Sequence, residues 1–128
     1  MPTFEVSKEY FWAGAHYLRD YNGPCERMHG HNWKVRVYVR CNKRDEQGLV
    51  VDFKHLEREL LTIRNRLDHQ VVNEVPPFDE RNPCAENLAL YFMEELGKIF
   101  DTERTWVSKV MIWETDYSIA TVTSDRVQ

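Results

Sequence analysis

Hydrophobic and polar positions change their period several times along the chain. In WKVRVYVR, from Trp33 to Arg40, Val35, Val37 and Val39 alternate with Lys34, Arg36 and Arg40. That is the period-2 pattern of a strand with one buried face. The earlier stretch TFEVSKEYFWAGAHYL is rich in aromatics and is expected to be its hairpin partner, joined through the Asn22-Gly23-Pro24 breaker. The period then changes. In DFKHLERELLTIRNRLDH, Phe53, Leu56, Leu60, Ile63 and Leu67 recur every three or four residues, which predicts one apolar stripe on a helix with Asp52 at its N-cap. After the loop NEVPPFDERNP a second helix is predicted, with Pro83 in its first turn and Leu88, Phe92, Leu96 and Ile99 on its buried side. β-Branched and aromatic residues dominate WVSKVMIWETDYSIATVTS, which reads as one or two strands.

Strand, strand, helix, helix, strand, strand is the order of an antiparallel α+β domain, not of a doubly wound parallel sheet. No repeat or linker divides the 128 residues, so residues 1–128 are expected to form a single domain. The composition, 42% hydrophobic and 30% charged, is that of a globular protein. A net charge of -4 argues against a nucleic-acid partner, and no apolar run is long enough to suggest a membrane span. The start, MPTFEVSKEYFW, lacks the pattern of a signal peptide. Cys25, Cys41 and Cys84 are odd in number and widely spaced, which fits reduced thiols in a cytoplasm rather than a disulfide framework.

Five histidines, at positions 16, 29, 31, 55 and 69, bear on possible chemistry. His29 and His31 flank Gly30, and an H-x-H pair in extended backbone directs both imidazoles to one face. His16, on the preceding predicted strand, is the third candidate, since a hairpin would bring it across to the pair. Three imidazoles can hold zinc and leave one tetrahedral position open, as at catalytic zinc sites; a strand with two partly exposed histidines is the competing expectation. Cys25, in the loop-like CERMHGHNW, offers either a fourth ligand that closes a structural site or a thiolate poised beside an open one. Cys41, at the end of an alternating strand, is expected to pack.

Asp68 and His69 close the first helix, where a carboxylate could orient an imidazole. Adjacent residues on a regular helix do not face each other, so pairing requires the helix to stop there; a helix C-terminus using His69 against its dipole is the alternative. His55 lies off the apolar stripe and is expected in water. Glu114 interrupts the apolar VMIWET, as either a ligand-binding carboxylate or a solvated strand end. Glu86 falls in the first turn of the second helix, where a carboxylate complements the dipole.

Taken in order, His16, CERMHGH, GLVVDF, LDH, NPCAENLA and WET resemble the 6-pyruvoyl-tetrahydropterin synthase family, which includes the 6-carboxytetrahydropterin synthases of queuosine biosynthesis. The resemblance runs from about Phe4 to Val122. It implies a tunnelling fold, a ββααββ unit whose antiparallel sheet carries two helices on one face and assembles into barrels, commonly as a hexamer with active sites between subunits. It further implies Zn2+ on His16, His29 and His31, Cys25 as general base, and Asp68 with His69 as a proton-handling pair. Glu114 is implied as the pterin anchor, with Cys84 and Glu86 also on the substrate side.

The implied substrate is 7,8-dihydroneopterin triphosphate. One branch of the family forms 6-carboxy-5,6,7,8-tetrahydropterin with loss of acetaldehyde and triphosphate; the other eliminates triphosphate alone and leaves a pyruvoyl side chain. The short chain and compact C-x-x-x-H-G-H spacing favour the first. Family members usually carry P-T-x-E-N where this chain has PCAEN, so Cys84 replaces a threonine with a weaker hydrogen-bond donor. Arg27, Lys34 and Lys54 are possible triphosphate ligands, and the spacing does not choose among them. Two other readings compete: a non-catalytic zinc protein with Cys25 joining the three histidines, and a zinc hydrolase of unrelated substrate that would leave Glu114 and the Asp68–His69 pair without a use.

Overall fold

A computed structural model describes residues 2–21, 23 and 26–127. The aromatic and the valine-alternating stretches form β1 (Phe4–His16) and β2 (His29–Cys41). They pair antiparallel along their whole length, from Phe4 opposite Cys41 to His16 opposite His29. Alternation acts as expected: Trp33, Val35, Val37, Val39 and Cys41 are buried, whereas Lys34, Arg36 and Tyr38 stand on the other face.

The first helix, α1, spans Phe53–Leu67, and the Asp52 carboxylate accepts from the Lys54 N–H at its start. Leu56, Leu60, Ile63 and Leu67 are buried, each contributing about 1.5–3 kcal/mol of burial free energy. Phe53, at the open first turn, is exposed and lies beneath the Lys8 ammonium. The second helix, α2 (Ala85–Phe100), begins later than expected. Cys84 is its N-cap, with Sγ accepting from the Asn87 N–H, so Pro83 stands one residue before the cap and not in the first turn. At the far end Phe100 replaces Ile99 on the buried side, because the row through Leu88, Phe92 and Leu96 continues at a spacing of four.

Between the helices lie a two-residue strand, β3 (Gln70–Val71), and a 3-10 turn at Val72–Glu74. The C-terminal stretch supplies β4 (Thr105–Trp113) and β5 (Ile119–Thr123). The sheet order is β3-β1-β2-β4-β5. All pairs are antiparallel except β3, which runs parallel to β1 with Gln70 opposite Gly14. The sheet is therefore mostly, not wholly, antiparallel: the chain leaving α1 returns along the same direction as β1. The buried rows of α1 and α2 join the inward side chains of β2 and β4 in one core, giving an α+β fold with both helices on one face. Among the described residues no helix is long and apolar enough to cross a membrane.

Candidate metal centre and its neighbouring dyad

The last antiparallel pair of the β1–β2 hairpin puts His16 opposite His29, and the strand pleat returns His31 to the same face. The three rings pack edge to face, with centroids 4.5 Å apart for His16–His29, 4.9 Å for His29–His31 and 5.5 Å for His16–His31. Trp33, next on that face, sets its ring edge-on to His16 and His31, stacks on Trp12 and donates its indole N–H to the Gly14 carbonyl. A Cβ at position 14 would come within 3.1 Å of the Trp12 indole nitrogen, so a larger residue there would press on this stack.

Backbone carbonyls set the tautomers. A carbonyl only accepts, so Nδ1 of His16, 2.7 Å from the Pro83 oxygen, carries its proton, and so does Nδ1 of His29, 2.7 Å from the Arg27 oxygen. The Nε2 atoms of these two rings then lie 3.0 Å apart. His31 Nε2 is buried with no hydrogen-bond partner among the described residues. Glu114 turns its carboxylate toward the same place, 3.7 Å from His16 Nε2 and 3.9 Å from His31 Nε2. Burial holds the His16 and His31 imidazoles below their ordinary pKa; it outweighs the upward pull of the Pro83 carbonyl on His16 and of Glu114 on both.

Three imidazoles and a carboxylate thus converge on one place. One ligand atom from each of His16, His29 and His31 lies within 4.8 Å of the others, positioned to bind a metal. A divalent ion that favours imidazole nitrogen fits this donor set. The Nδ1–H bonds to carbonyls are the outer contacts that orient metal-bound histidines.

The dyad is built differently. Helix α1 ends at Leu67; Asp68 is extended and His69 has φ of +59°, a region uncommon for a residue with a Cβ. The His69 N–H donates to the Ala13 carbonyl as β3 begins. Once the helix has stopped, adjacent side chains can meet, and His69 Nδ1 lies 3.1 Å from Asp68 Oδ2. Asp68 Oδ1 accepts from the Ala13 N–H at 3.0 Å, and Arg64 Nη1 stands 3.3 Å from Oδ2. That N–H chiefly, then the contacts of His69 and Arg64, hold the Asp68 carboxyl below its ordinary value. The His69 side chain is 81% exposed. Among the described residues no hydrogen bond or ion pair joins the dyad to the three histidines, although His31 and His69 border one shallow depression over Gly14 and Gly30.

Glu114 is a strand-end carboxylate, its N–H bonded to the Ser118 carbonyl, and it is turned to the histidines rather than enclosed in the apolar run. Glu86 is exposed in the first turn of α2, two residues beyond the Cys84 cap. His55 rests on the Phe100 ring near Glu59, and Cys41 is buried. Lys34 lies over the Trp113 ring on the sheet face opposite His31, Lys54 sits in the first turn of α1, and Arg27 adjoins the triad through its carbonyl. Cys25 lies outside the described residues. The carbonyls of Pro83 and Arg27 escape sequence reasoning, because a backbone acceptor has no residue-type signature.

The sequence model of the 6-pyruvoyl tetrahydropterin synthase family matches residues 5–125. The chain is similar to the 6-carboxy-5,6,7,8-tetrahydropterin synthase of Synechocystis, 32% identical over 96 residues that cover 71% of this chain and 73% of that protein. It is also similar to the Bacillus subtilis protein of the same name, 27% identical over 105 residues covering 78% and 70% of the two chains. Among solved structures, 6-pyruvoyl tetrahydropterin synthase of Caenorhabditis elegans superposes with a TM-score of 0.83 at 25% identity, over 98% of each chain. The model match over nearly the whole chain, the shared fold and the three convergent histidines lead to one statement: this chain belongs to the 6-pyruvoyl tetrahydropterin synthase family of pterin-forming enzymes.

Proposed function

We propose that this chain is a cytoplasmic, zinc-dependent lyase. Its substrate would be 7,8-dihydroneopterin triphosphate and its products 6-carboxy-5,6,7,8-tetrahydropterin, acetaldehyde and triphosphate, a step of queuosine biosynthesis. The observation that carries the reading is the convergence of three imidazoles and Glu114 on one point. The carboxy product is supported by the names of the Synechocystis and Bacillus relatives. The pyruvoyl product is the alternative, supported by the name of the Caenorhabditis neighbour.

His16, His29 and His31 would hold the zinc. Bound there, zinc would supply Lewis acidity toward the substrate's side-chain hydroxyls. Glu114 has two acceptor oxygens for the pterin's N–H and amino groups, a pairing that would compensate its carboxylate once the ring covers it. The Cys25 thiolate would take a proton from a side-chain carbon, and His69, oriented by Asp68, would carry protons beside it. The exposure of His69 supports a homo-oligomer, a hexamer in this reading, in which one subunit's dyad serves a neighbour's Cys25. Cys84 and Glu86, at the start of α2, would border the substrate. Arg27, Lys34 and Lys54 would be the candidates for holding the triphosphate.

The test is mass spectrometry of zinc-loaded protein with 7,8-dihydroneopterin triphosphate, acetaldehyde being trapped. Carboxy-tetrahydropterin with acetaldehyde supports the proposal, and a pyruvoyl product without acetaldehyde moves the chain to the other branch. Unchanged substrate from intact zinc-bound oligomer sinks both. A Cys25→Ala variant that keeps zinc but loses turnover separates catalysis from a structural zinc site, which would lose metal and fold together.

A further inference from the structure

Strand β1 ends at His16, but the pairing of its backbone continues. Asn73 Oδ1 accepts from the Tyr17 N–H at 3.0 Å while its Nδ2 donates to the Tyr17 carbonyl at 2.9 Å. Two residues on, Asn82 Oδ1 accepts from the Arg19 N–H at 2.8 Å and its Nδ2 donates to the Arg19 carbonyl at 3.0 Å. A carboxamide offers the same acceptor and donor as a peptide group, and alternate residues are those that a neighbouring strand pairs. Two side chains thus stand in for a strand and extend β1 past the histidine. The Arg19 guanidinium ties the same segment to the Phe78 and Asn73 carbonyls.

Asn82 also flanks Pro83, whose carbonyl accepts from His16 Nδ1–H. On its other side the Asn82 carbonyl accepts from Asn87 Nδ2 in the first turn of α2. Pro83 is therefore held between the Arg19 pairing and the capped end of α2. These flanks set the place of the carbonyl to which His16 donates. Asn73 is itself buried, at 4% exposure, and its carboxamide is spent on the Tyr17 peptide.

We propose that Asn73 and Asn82 are positioning residues of the metal centre. They fix the flank of His16 and the Pro83 carbonyl, which locks the His16 tautomer and aims Nε2 at His29 and His31. Neither touches metal or substrate. The inference rests on the reading of the three histidines as a metal site.

The test is zinc affinity, by competition with a chromogenic chelator, together with the visible spectrum of the Co2+-substituted protein. It compares full-length wild type, Asn82→Ala, Asn73→Ala and Arg104→Gln. Arg104 anchors a different loop through the Lys43 and Val50 carbonyls, so its loss reports weakened anchoring away from the site. Both asparagine variants are expected to lose about 10- to 100-fold in zinc affinity, the usual effect of removing an outer partner of a metal ligand, and to shift or weaken the Co2+ bands. Arg104→Gln should change neither. Should Asn82→Ala fail to fold, Asn82→Asp keeps the acceptor for the Arg19 N–H but loses the donor to its carbonyl, and its affinity should fall in the same direction. Unchanged affinity and spectra in the asparagine variants overturn the proposal, as does an equal loss in Arg104→Gln. Wild type that takes up no zinc overturns the metal centre itself, a result distinct from wild type and variants binding equally.

Discussion

His31 of the triad and His69 of the dyad border one depression, but the two groups are made by different means. The triad comes from strand pairing: His16 is 1% exposed, and two backbone carbonyls fix the proton positions of His16 and His29. The dyad comes from a single left-handed residue after a helix, and its imidazole is 81% exposed. Rigid strands suit a metal, which needs several nitrogens held at once. An accessible ring on a turn suits a group that must exchange protons with something outside the fold. The triad's imidazoles converge on one another, whereas the dyad's imidazole faces outward.

The largest expected effect breaks the triad alone. His16→Ala should abolish stoichiometric zinc binding in chelator competition, whereas Asp68→Ala should leave it unchanged. Zinc at 100-fold above its dissociation constant should raise wild-type stability by about 2.7 kcal/mol and should do nothing for His16→Ala. Retained zinc in that variant would undo the comparison.

Breaking the dyad should cost function and not stability. His69→Gly should lower turnover by about 10²–10⁴-fold, the usual contribution of a general acid or base. Its urea midpoint should match or exceed wild type, because relief of the left-handed strain, about 1 kcal/mol, offsets the lost Asp68 contact. A clear fall in midpoint would show that His69 is held for structure.

Acid should separate the two regions in metal-free protein. His16 and His31 take up protons less readily folded than unfolded, where they titrate near 6.5; their stabilisation is complete above that pH and declines as pH falls below it. The Asp68 carboxyl is held below its unfolded value of 3.8, so its stabilisation is complete above 3.8 and is lost as pH falls through the lower folded value. Urea midpoints followed from about pH 8 to about pH 3 should therefore decline first below 6.5 and again only near the acid end, and Asp68→Asn should reduce only the second decline, which Asp45, Glu57 and Glu95, also held below their ordinary values, share.

The smallest effect sharpens the border between the triad and α2. Cys84→Thr places a better N-cap acceptor beside Pro83 and should stabilise the fold by about 0.5–1 kcal/mol in urea unfolding. A destabilised variant would mean that the thiol is held by more than its cap bond to Asn87.

Much of this architecture was legible because burial on one face imposes a period. The β2 valines and the α1 leucines follow their stripes, and strand parity together with a hairpin register was enough to bring His16 to His29 and His31. Features set by one torsion or one carbonyl were not legible. The positive φ that lets Asp68 meet His69 is signalled by no periodicity, so that pair was legible only through the family resemblance, and β3 is too short to show a pattern. Ile99 and Phe100 compete for the last turn of α2, and adjacent apolar residues do not reveal which one turns inward. The Asn73 and Asn82 rungs read in sequence only as loop residues.

The most direct test of the account mixes two inactive variants, Cys25→Ala and His69→Ala, by unfolding and refolding them together. If dyad and triad meet across subunits, random assembly gives about a quarter of the sites one intact copy of each part. Turnover of 7,8-dihydroneopterin triphosphate should then return to about that fraction of wild type. Mixed oligomers that form, bind zinc and stay inactive would contradict the account.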